Sequence, residues 1–299
     1  MMKKKQQGVH DKMKRVLITG KNSYVGNSFA DWVKDDPNFK VDKISLREDT
    51  WKEHDFSSYD VVLHVAGIAH QKETKKNKEI YYRVNRDLTI EIANKAKSEG
   101  VLHFIFISSM SVYGIEKGKI DEGSLLNPKT NYGKSKLQAE EFIKTIRDNV
   151  SFKVSILRPP MIYGNECKGN YQKLSKIAKF TPFFPKYSNE RSMIYVDHLS
   201  IYIKIVMERE KEGVLLPQNM QYVNTTKLVE AISKVNEKKL FIIGNFNWLI
   251  SFLSDRISVF TKVFGDLKYN NSEDDINPNE YNIYNFNETV KITEKVNRR

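Results

Sequence analysis

Two stretches of the chain carry side chains that can move a proton. Ser108-Ser109-Met110-Ser111-Val112-Tyr113-Gly114 follows the apolar run 101–107 (VLHFIFI), and Asn131-Tyr132-Gly133-Lys134-Ser135-Lys136 opens a helical pattern. The apolar run reads as a buried strand, which puts the serines at its tip. Tyr132 and Lys136 stand four residues apart and so share one helix face. An ammonium beside a phenol lowers the phenol's pKa, and a phenol tuned in this way exchanges a proton with a carbinol oxygen near neutral pH. A serine hydroxyl at that strand tip can hold the same oxygen.

Such chemistry needs a hydride carrier, and the first strand-to-helix turn offers a place for one. Residues 15–19 (RVLIT) form a short apolar strand pattern that runs into Thr19-Gly20-x-x-Ser23-x-x-Gly26 and then a helix to about residue 34. Glycine in that turn lets backbone approach a pyrophosphate, and the helix N-terminus adds partial positive charge. Ser23 stands where a glycine is expected.

The elements that must position these groups alternate. Strands are predicted at 15–19, 40–46, 60–65, 101–107 and 153–157, and helices at 81–98 and 132–147. That rhythm predicts an α/β fold, a Rossmann-type doubly wound parallel sheet covered on both faces. Residues 1–14 are basic, polar and without periodicity, and are expected to be disordered. After Gly164 the pattern loosens into a strand at 192–196, a helix at 197–208 capped by Asp197, short strands at 214–216 and 222–223, and a helix at 226–235. Residues 246–264 carry one apolar helical stripe (Phe246, Leu249, Ile250, Leu253, Ile257, Phe260, Phe264) too often interrupted by polar residues to span a bilayer. Docking on the protein's own core or on a second subunit is the favoured reading of that stripe, and peripheral membrane contact is the alternative.

At 299 residues, with 40% hydrophobic and 29% charged residues, the chain suits one large α/β domain with a small appendage. The net charge of +12 is concentrated in Lys3–Lys5, Lys12, Lys14 and Arg15 and again at Lys72, Lys75, Lys76 and Lys78. It reads as solvated tails and helix faces, not as a nucleic-acid footprint. Cys167 is the single cysteine, which excludes an internal disulfide and a cysteine-based zinc site and fits a reducing compartment. No metal site is expected. No apolar run precedes Val16, so no signal peptide is read and a cytoplasmic location is expected.

With these motifs in order, residues 15–265 resemble the extended short-chain dehydrogenases/reductases, the NAD-dependent epimerase/dehydratase family. Thr19–Gly26 is similar to the family's TGxxGxxG. Asp55-Phe56 resembles its adenine-holding acidic–apolar pair, and His64–Gly67 its HxAG stretch. Asn85 resembles its structural asparagine, and Arg158–Gly164 (RPPMIYG) its RPxxxYG segment. Ser109, Tyr132 and Lys136 match its catalytic set. The resemblance implies cofactor contacts from Gly20, Ser23, Tyr24, Val25, Gly26, Asp55, Phe56, Val65, Ala66, Gly67, Asn85, Ile107, Tyr132, Lys136, Pro159, Pro160 and Ile162. It places Ser109, Met110, Ser111, Asn170, Tyr171 and Phe184 beside a nucleotide sugar, with Arg191 gripping its diphosphate. His64 still reads as a satisfied core histidine and Cys167 as inert. The implied organisation is a Rossmann domain over 15–165, to which 191–210 and 214–235 return, and a substrate lobe over 166–190 and 236–299. Relatives of this kind pair as homodimers, and that is carried over.

An acid at the end of the second strand would hold the ribose 2′-hydroxyl of NAD. Here Ser45 stands at that place with Arg47 just beyond, while Asp42 falls inside the strand. This favours NADP(H), with NAD(H) as the alternative. A dehydratase of this family would carry Asp-Glu after the catalytic hydroxyl; Met110 and Ser111 stand there and cannot act as an acid/base pair, so dehydration is excluded. Arg158–Gly164 followed by Lys168-Gly169-Asn170-Tyr171, and Val263-Phe264-Gly265-Asp266-Leu267, resemble the bacterial surface-polysaccharide branch of the family. That resemblance implies the favoured reaction, reduction of the C4 keto group of a UDP-4-keto-6-deoxy-N-acetylhexosamine for surface-polysaccharide synthesis. The alternatives are a UDP-sugar 4-epimerase and a non-catalytic NADP(H)-binding module, against which the intact Ser109/Tyr132/Lys136 set argues.

Overall fold

The computed structural model describes residues 13–296 apart from 70–72, 75, 122, 149, 245, 246, 255 and 271–274. The tail expected over 1–14 therefore falls outside the described residues except for Met13 and Lys14, and Lys14 already belongs to the first strand.

In chain order come β1 (Lys14–Thr19), α1 (Tyr24–Trp32), β2 (Phe39–Ile44) and β3 (Val61–His64). A continuous helical stretch follows: α2 (Lys78–Tyr82), one π turn (Arg83–Asp87) and α3 (Leu88–Ser98). Next are β4 (His103–Ile107), a 3₁₀ turn (Met110–Tyr113), β5 (Gly118–Ile120), α4 (Asn131–Thr145) and β6 (Lys153–Leu157). The second half holds β7 (Met161–Tyr163), α5 (Asn170–Phe180), β8 (Phe183–Pro185), β9 (Met193–Tyr195), α6 (Val196–Glu208) and β10 (Gly213–Leu215). It ends with α7 (Thr225–Val235), β11 (Phe241–Ile243), α8 (Asn247–Ser254), α9 (Ser258–Phe264), β12 (Leu267–Tyr269), α10 (Pro278–Tyr281) and α11 (Phe286–Val296).

Six strands pair in parallel in the order β10-β6-β4-β3-β1-β2. The β1, β3 and β4 sequences are continuous apolar runs because both faces of the sheet are covered. Val16, Ile18 and Leu63 pack with Phe29 of α1 and Leu199 and Ile203 of α6 on one side. Leu17, Val62 and Phe104 pack with Ile92 of α3 and Ile143 of α4 on the other. The expected doubly wound sheet is therefore the observed one.

A second cluster builds the lobe. Tyr163, Tyr171, Phe184, Leu228, Ile250, Phe264 and Val290 share one core. This redraws two expected boundaries. Residues 213–215 do return to the sheet as β10, but α7 packs in the lobe through Leu228, Val229 and Ile232. Conversely, Ile276 and Tyr281 pack with α6, the Tyr281 and Tyr202 rings 5.0 Å apart, so the segment 276–281 leaves the lobe and joins the sheet side. Asp197 does not cap α6. Tyr195 holds that position without a side-chain capping bond, and Asp197 lies in the first turn. Phe246 of the expected stripe lies outside the described residues; from Asn247 on, the stripe forms two helices, α8 and α9, in place of one. Among the described residues no helix is long and apolar enough to cross a membrane.

Candidate active site

The carboxyl ends of β1, β3, β4 and β6 open on a cleft of about 2120 Å³. The strand order reverses between β1 and β3, and ligands of open α/β sheets bind at such switch points. A single drug-sized ligand occupies at most about 1,000 Å³, so the cleft has room for two ligands end to end.

One half is backbone. Gly20 has φ +117°, and a Cβ there would stand 3.0 Å from the Ala66 nitrogen. Glycine is therefore required on both conformational and steric grounds. Ser23, in the place of an expected glycine, is the N-cap of α1, its Oγ accepting from the Gly26 N–H at 3.4 Å. Gly26 lies under the helix: a Cβ there would meet Ile18 Cγ2 at 2.8 Å and Val65 Cγ2 at 3.0 Å, so it sets how closely α1 packs on the sheet. The first turn of α1 carries no acidic side chain, which leaves its positive end open to an anion. Gly20, Ser23, Tyr24, Val25, Ser45, Arg47, Val65, Ala66 and Gly67 all line this half. Asp42 is spent inside β2, accepting from the Tyr59 hydroxyl at 3.1 Å.

Two expected adenine contacts are not in the cleft. Phe56 is wholly buried under the sheet and its N–H donates to Glu99 at 2.6 Å; Asp55 turns outward and accepts from the Ser57 N–H. The short strand pattern does not reveal that α3 reaches over this turn with Glu99. Asn85 also stays behind the cleft wall. It sits in the π turn, fully buried, and its amide bonds both the N–H and the carbonyl of Ile68 while donating to Ser135. The loop after β3 is thereby pinned to α4.

The middle of the cleft holds the proton-moving groups. Ile107, Ser109, Met110, Ser111, Tyr132, Lys136, Pro159, Pro160 and Ile162 meet here from four separate elements. Ser109 caps the 3₁₀ turn, its Oγ accepting from the Ser111 N–H and donating to the Ser111 Oγ, both at 3.1 Å, and it lies close enough to Tyr132 to favour the phenolate. Met110 is mostly buried against Tyr113 and Tyr269. The Lys136 ammonium donates to the Ile107 carbonyl at 2.8 Å and lies 4.5 Å from the Phe106 ring centre. Burial pulls Lys136 down to about 7, with Glu140 acting the other way.

This corrects one electrostatic expectation. Tyr132 is pushed up, chiefly by burial, and the nearby Ser109 hydroxyl opposes the shift. The lysine charge is turned toward Ile107 and loses strength on its own account. His64 is the satisfied core histidine expected: Thr19 and Thr89 hydroxyls bond its two nitrogens at 2.7 and 2.9 Å, and burial lowers it to about 3. Burial raises the Cys167 thiol, which leaves it protonated and unreactive.

At the far end Asn170 and Arg191 line the cleft. Arg191 donates to the Gly265 carbonyl at 2.5 Å. Tyr171 and Phe184, expected at the sugar and the base, point the other way. Tyr171 is fully buried and stacked on Tyr163 at 5.4 Å, and Phe184 packs on Phe264 at 5.8 Å, both inside the lobe core.

Two positioning features escaped the sequence. Glu73 lines the cleft and accepts from the N–H groups of Asn131 and Tyr132 at 2.9 and 3.0 Å, fixing the start of α4. It lies 59 residues from Tyr132 and nothing local signals it. Glu140 and Arg158 form a buried pair beneath the catalytic groups. That one had a signal: Glu140 continues the Tyr132–Lys136 face by one more turn, and a carboxylate on a buried face demands a partner.

The family model described as NAD dependent epimerase/dehydratase family matches residues 14–213. The chain is 28% identical to UDP-glucose 4-epimerase of Vibrio cholerae over 260 residues, 75% of this chain and 76% of that protein. It is 29% identical over 216 residues to N-acetyl-alpha-D-glucosaminyl-diphospho-ditrans,octacis-undecaprenol 4-epimerase of Escherichia coli O157:H7. That match spans 66% of this chain and 64% of the relative. In fold, it resembles UDP-glucuronic acid 4-epimerase from Bacillus cereus in complex with NAD, with a TM-score of 0.74 at 18% identity over 94% of this chain and 97% of that one. A glycine turn at the switch point, a capped α1 and the Ser109–Tyr132 pair thus coincide with a match over most of the chain. The protein belongs to the NAD dependent epimerase/dehydratase family, the extended short-chain dehydrogenases/reductases.

Proposed function

We propose that the protein interconverts C4 epimers of a UDP-sugar, using a nicotinamide dinucleotide retained in the cleft. The observation that carries this reading is that Ser109 and Tyr132 line the same part of the cleft, with Met110 and Ser111 beside them in place of carboxylates. The groups present support transfer at one carbinol carbon and no elimination. The curated relatives named as 4-epimerases support it further.

Ser109 and Tyr132 hold the C4 oxygen between them. Gly20–Val25 and Val65–Gly67 would hold a dinucleotide, which would supply hydride acceptance and return when bound. Tyr132 takes the hydroxyl proton as the C4 hydride leaves, and gives it back when hydride returns to the other face of the turned 4-keto sugar. Hydride and proton are each returned, so no net oxidant is consumed. Lys136, held by Ile107, faces the ribose side, and Arg191 takes the diphosphate through its remaining guanidinium donors.

Arg47 at the end of β2 favours a second reading, reduction of a UDP-4-keto sugar with NADPH. One pair of assays separates them. The protein is incubated with UDP-glucose or UDP-GlcNAc without added cofactor, and separately with NADPH and UDP-4-keto-6-deoxy-N-acetylhexosamine. Interconversion in the first tube supports the epimerase; NADPH consumption only in the second refutes it. A homodimer through α3 and α4 is part of the same proposal, and sedimentation equilibrium tests it.

A further inference from the structure

The lobe carries an apolar surface that the reaction does not use. β8 and β11 pair in parallel with Phe183 opposite Phe241 and Phe184 opposite Ile242. Side chains alternate across such a ribbon. Phe184 and Ile242 face the lobe core, while Phe183, Phe241 and Ile243 face outward, the two phenylalanine rings 5.7 Å apart. Phe180, at the end of α5 just before the ribbon, is 84% exposed. α8 begins four residues after Ile243 and is tied beside the ribbon by a 3.2 Å bond between the Tyr187 and Ser251 hydroxyls. Its Ile250 is buried in the core, and Trp248 and Phe252, one turn apart, are 72% and 49% exposed. Six large apolar side chains from four elements therefore stand outside one lobe. Isolated exposed apolar residues need no explanation, but a group of this size does.

Charge identifies what covers it. Residues 171–188 and 236–264 carry eight lysines and arginines against two acids, Glu237 and Asp255, and two of the eight, Lys179 and Lys262, are paired with Glu294 and Glu116 from elsewhere in the chain. Lys176 and Lys186 flank the α5–β8 phenylalanines, Lys238 and Lys239 precede β11, and all four are exposed. Arg256 lies 3.8 Å from the Phe252 ring, so its cation sits against the apolar surface itself. Exposed aromatics in a basic rim fit an interface with anionic lipid: the rings enter the headgroup–acyl boundary and the cations meet lipid phosphates. A second copy of the chain would face its own excess of positive charge across a two-fold contact.

We propose that this face, Phe180, Phe183, Phe241, Ile243, Trp248 and Phe252 with its basic rim, binds the surface of an anionic phospholipid bilayer peripherally, with the cleft held above it. The proposal goes beyond the 4-epimerase reading, and its test does not involve turnover.

The full-length protein is floated with vesicles of phosphatidylcholine alone and of phosphatidylcholine and phosphatidylglycerol in equal parts. Trp248 emission is followed in a Trp32→Phe/Trp51→Phe background. The expected result is flotation with the mixed vesicles only, a blue shift of Trp248 on binding, and release by high salt. Trp248→Ser/Phe252→Ser is expected to lower partitioning by about tenfold or more, as the loss of two inserted aromatics requires. Lys238→Gln/Lys239→Gln is expected to weaken it by about thirtyfold, at about 1 kcal/mol per cation near the surface. Circular-dichroism melting confirms that each variant is folded. No flotation of the wild type, or equal flotation of the folded aromatic double variant, overturns the proposal. So does a change of oligomeric state in the variant without any vesicle binding by the parent, which would assign the face to a second copy.

Discussion

Glu140 on α4 grips Arg158 at the end of β6 in a fork sealed from solvent: Nε lies 3.1 and 3.2 Å from the two carboxylate oxygens and Nη2 lies 2.5 Å from Oε2. The remaining donor, Nη1, reaches the Tyr113 hydroxyl at 2.8 Å, and the Ser108 hydroxyl donates to Glu140. The pair therefore locks the helix that carries Tyr132 and Lys136 to the strand tip that carries Ser109. A buried pair of this kind adds little net stability over an apolar replacement, but leaving one charge alone is costly. Glu140→Ala is expected to lose about 3–5 kcal/mol, and Glu140→Leu with Arg158→Met to recover much of the loss. Urea unfolding of the three proteins checks this, and a single variant as stable as the parent would contradict it.

Tyr132→Phe removes the group that carries the proton and keeps the ring that fills the cleft. Turnover is expected to fall by about 10² to 10⁴, with dinucleotide affinity little changed. Unchanged turnover would remove Tyr132 from the mechanism and leave Ser109 without a partner in it.

Arg47 lines the cleft just past β2, with Ser45 where a ribose-binding acid would stand. Only NADP(H) carries a 2′-phosphate for a guanidinium to meet. Arg47→Ala is therefore expected to weaken NADPH by about 10- to 100-fold, the worth of a charge-assisted hydrogen bond, and to leave NADH alone. Fluorescence titration with both cofactors reads the difference. Equal losses for the two would place Arg47 elsewhere on the dinucleotide.

Local pattern made the sheet legible and most of the catalytic centre with it. Lys153–Leu157 is a strand at the expected bounds, and a four-residue spacing brought Tyr132 and Lys136 to one cleft. What the chain hid is non-local. Phe56 looks like a cofactor contact until Glu99, 43 residues on, takes its N–H. Tyr171 and Phe184 look like substrate contacts until the lobe closes over them, because an aromatic in an irregular segment carries no periodicity to say which side it faces. The break between α8 and α9 was equally invisible: the apolar stripe continues through it, and only the packing of Ile250 and Phe264 into the lobe shows that two helices share it. The π turn at Arg83–Asp87 arises around Asn85, whose partners Ile68 and Ser135 are 17 and 50 residues away.

His64 and His103 predict how the fold responds to acid. Burial holds them neutral, His64 down to about 3 and His103 to about 4 against 6.5 in an open chain. Each has a hydroxyl partner, Thr19 and Thr89 for His64 and Ser155 for His103, and no carboxylate bonded to the ring. As pH falls through 6.5 the unfolded chain takes up protons at both sites that the folded chain refuses. The unfolded state then binds more protons, so stability rises with pH across this window. Their contribution is whole above about pH 6.5. It declines below that by about 1.4 kcal/mol per pH unit for each histidine, levelling off near 4 for His103 and near 3 for His64. Urea unfolding between pH 7 and about 5 is expected to show that slope, and His64→Gln to make it shallower by one histidine's share. A wild-type stability that stays level over the same range would mean that neither ring is held neutral, and that the Thr19–His64–Thr89 bridge opens to admit a proton.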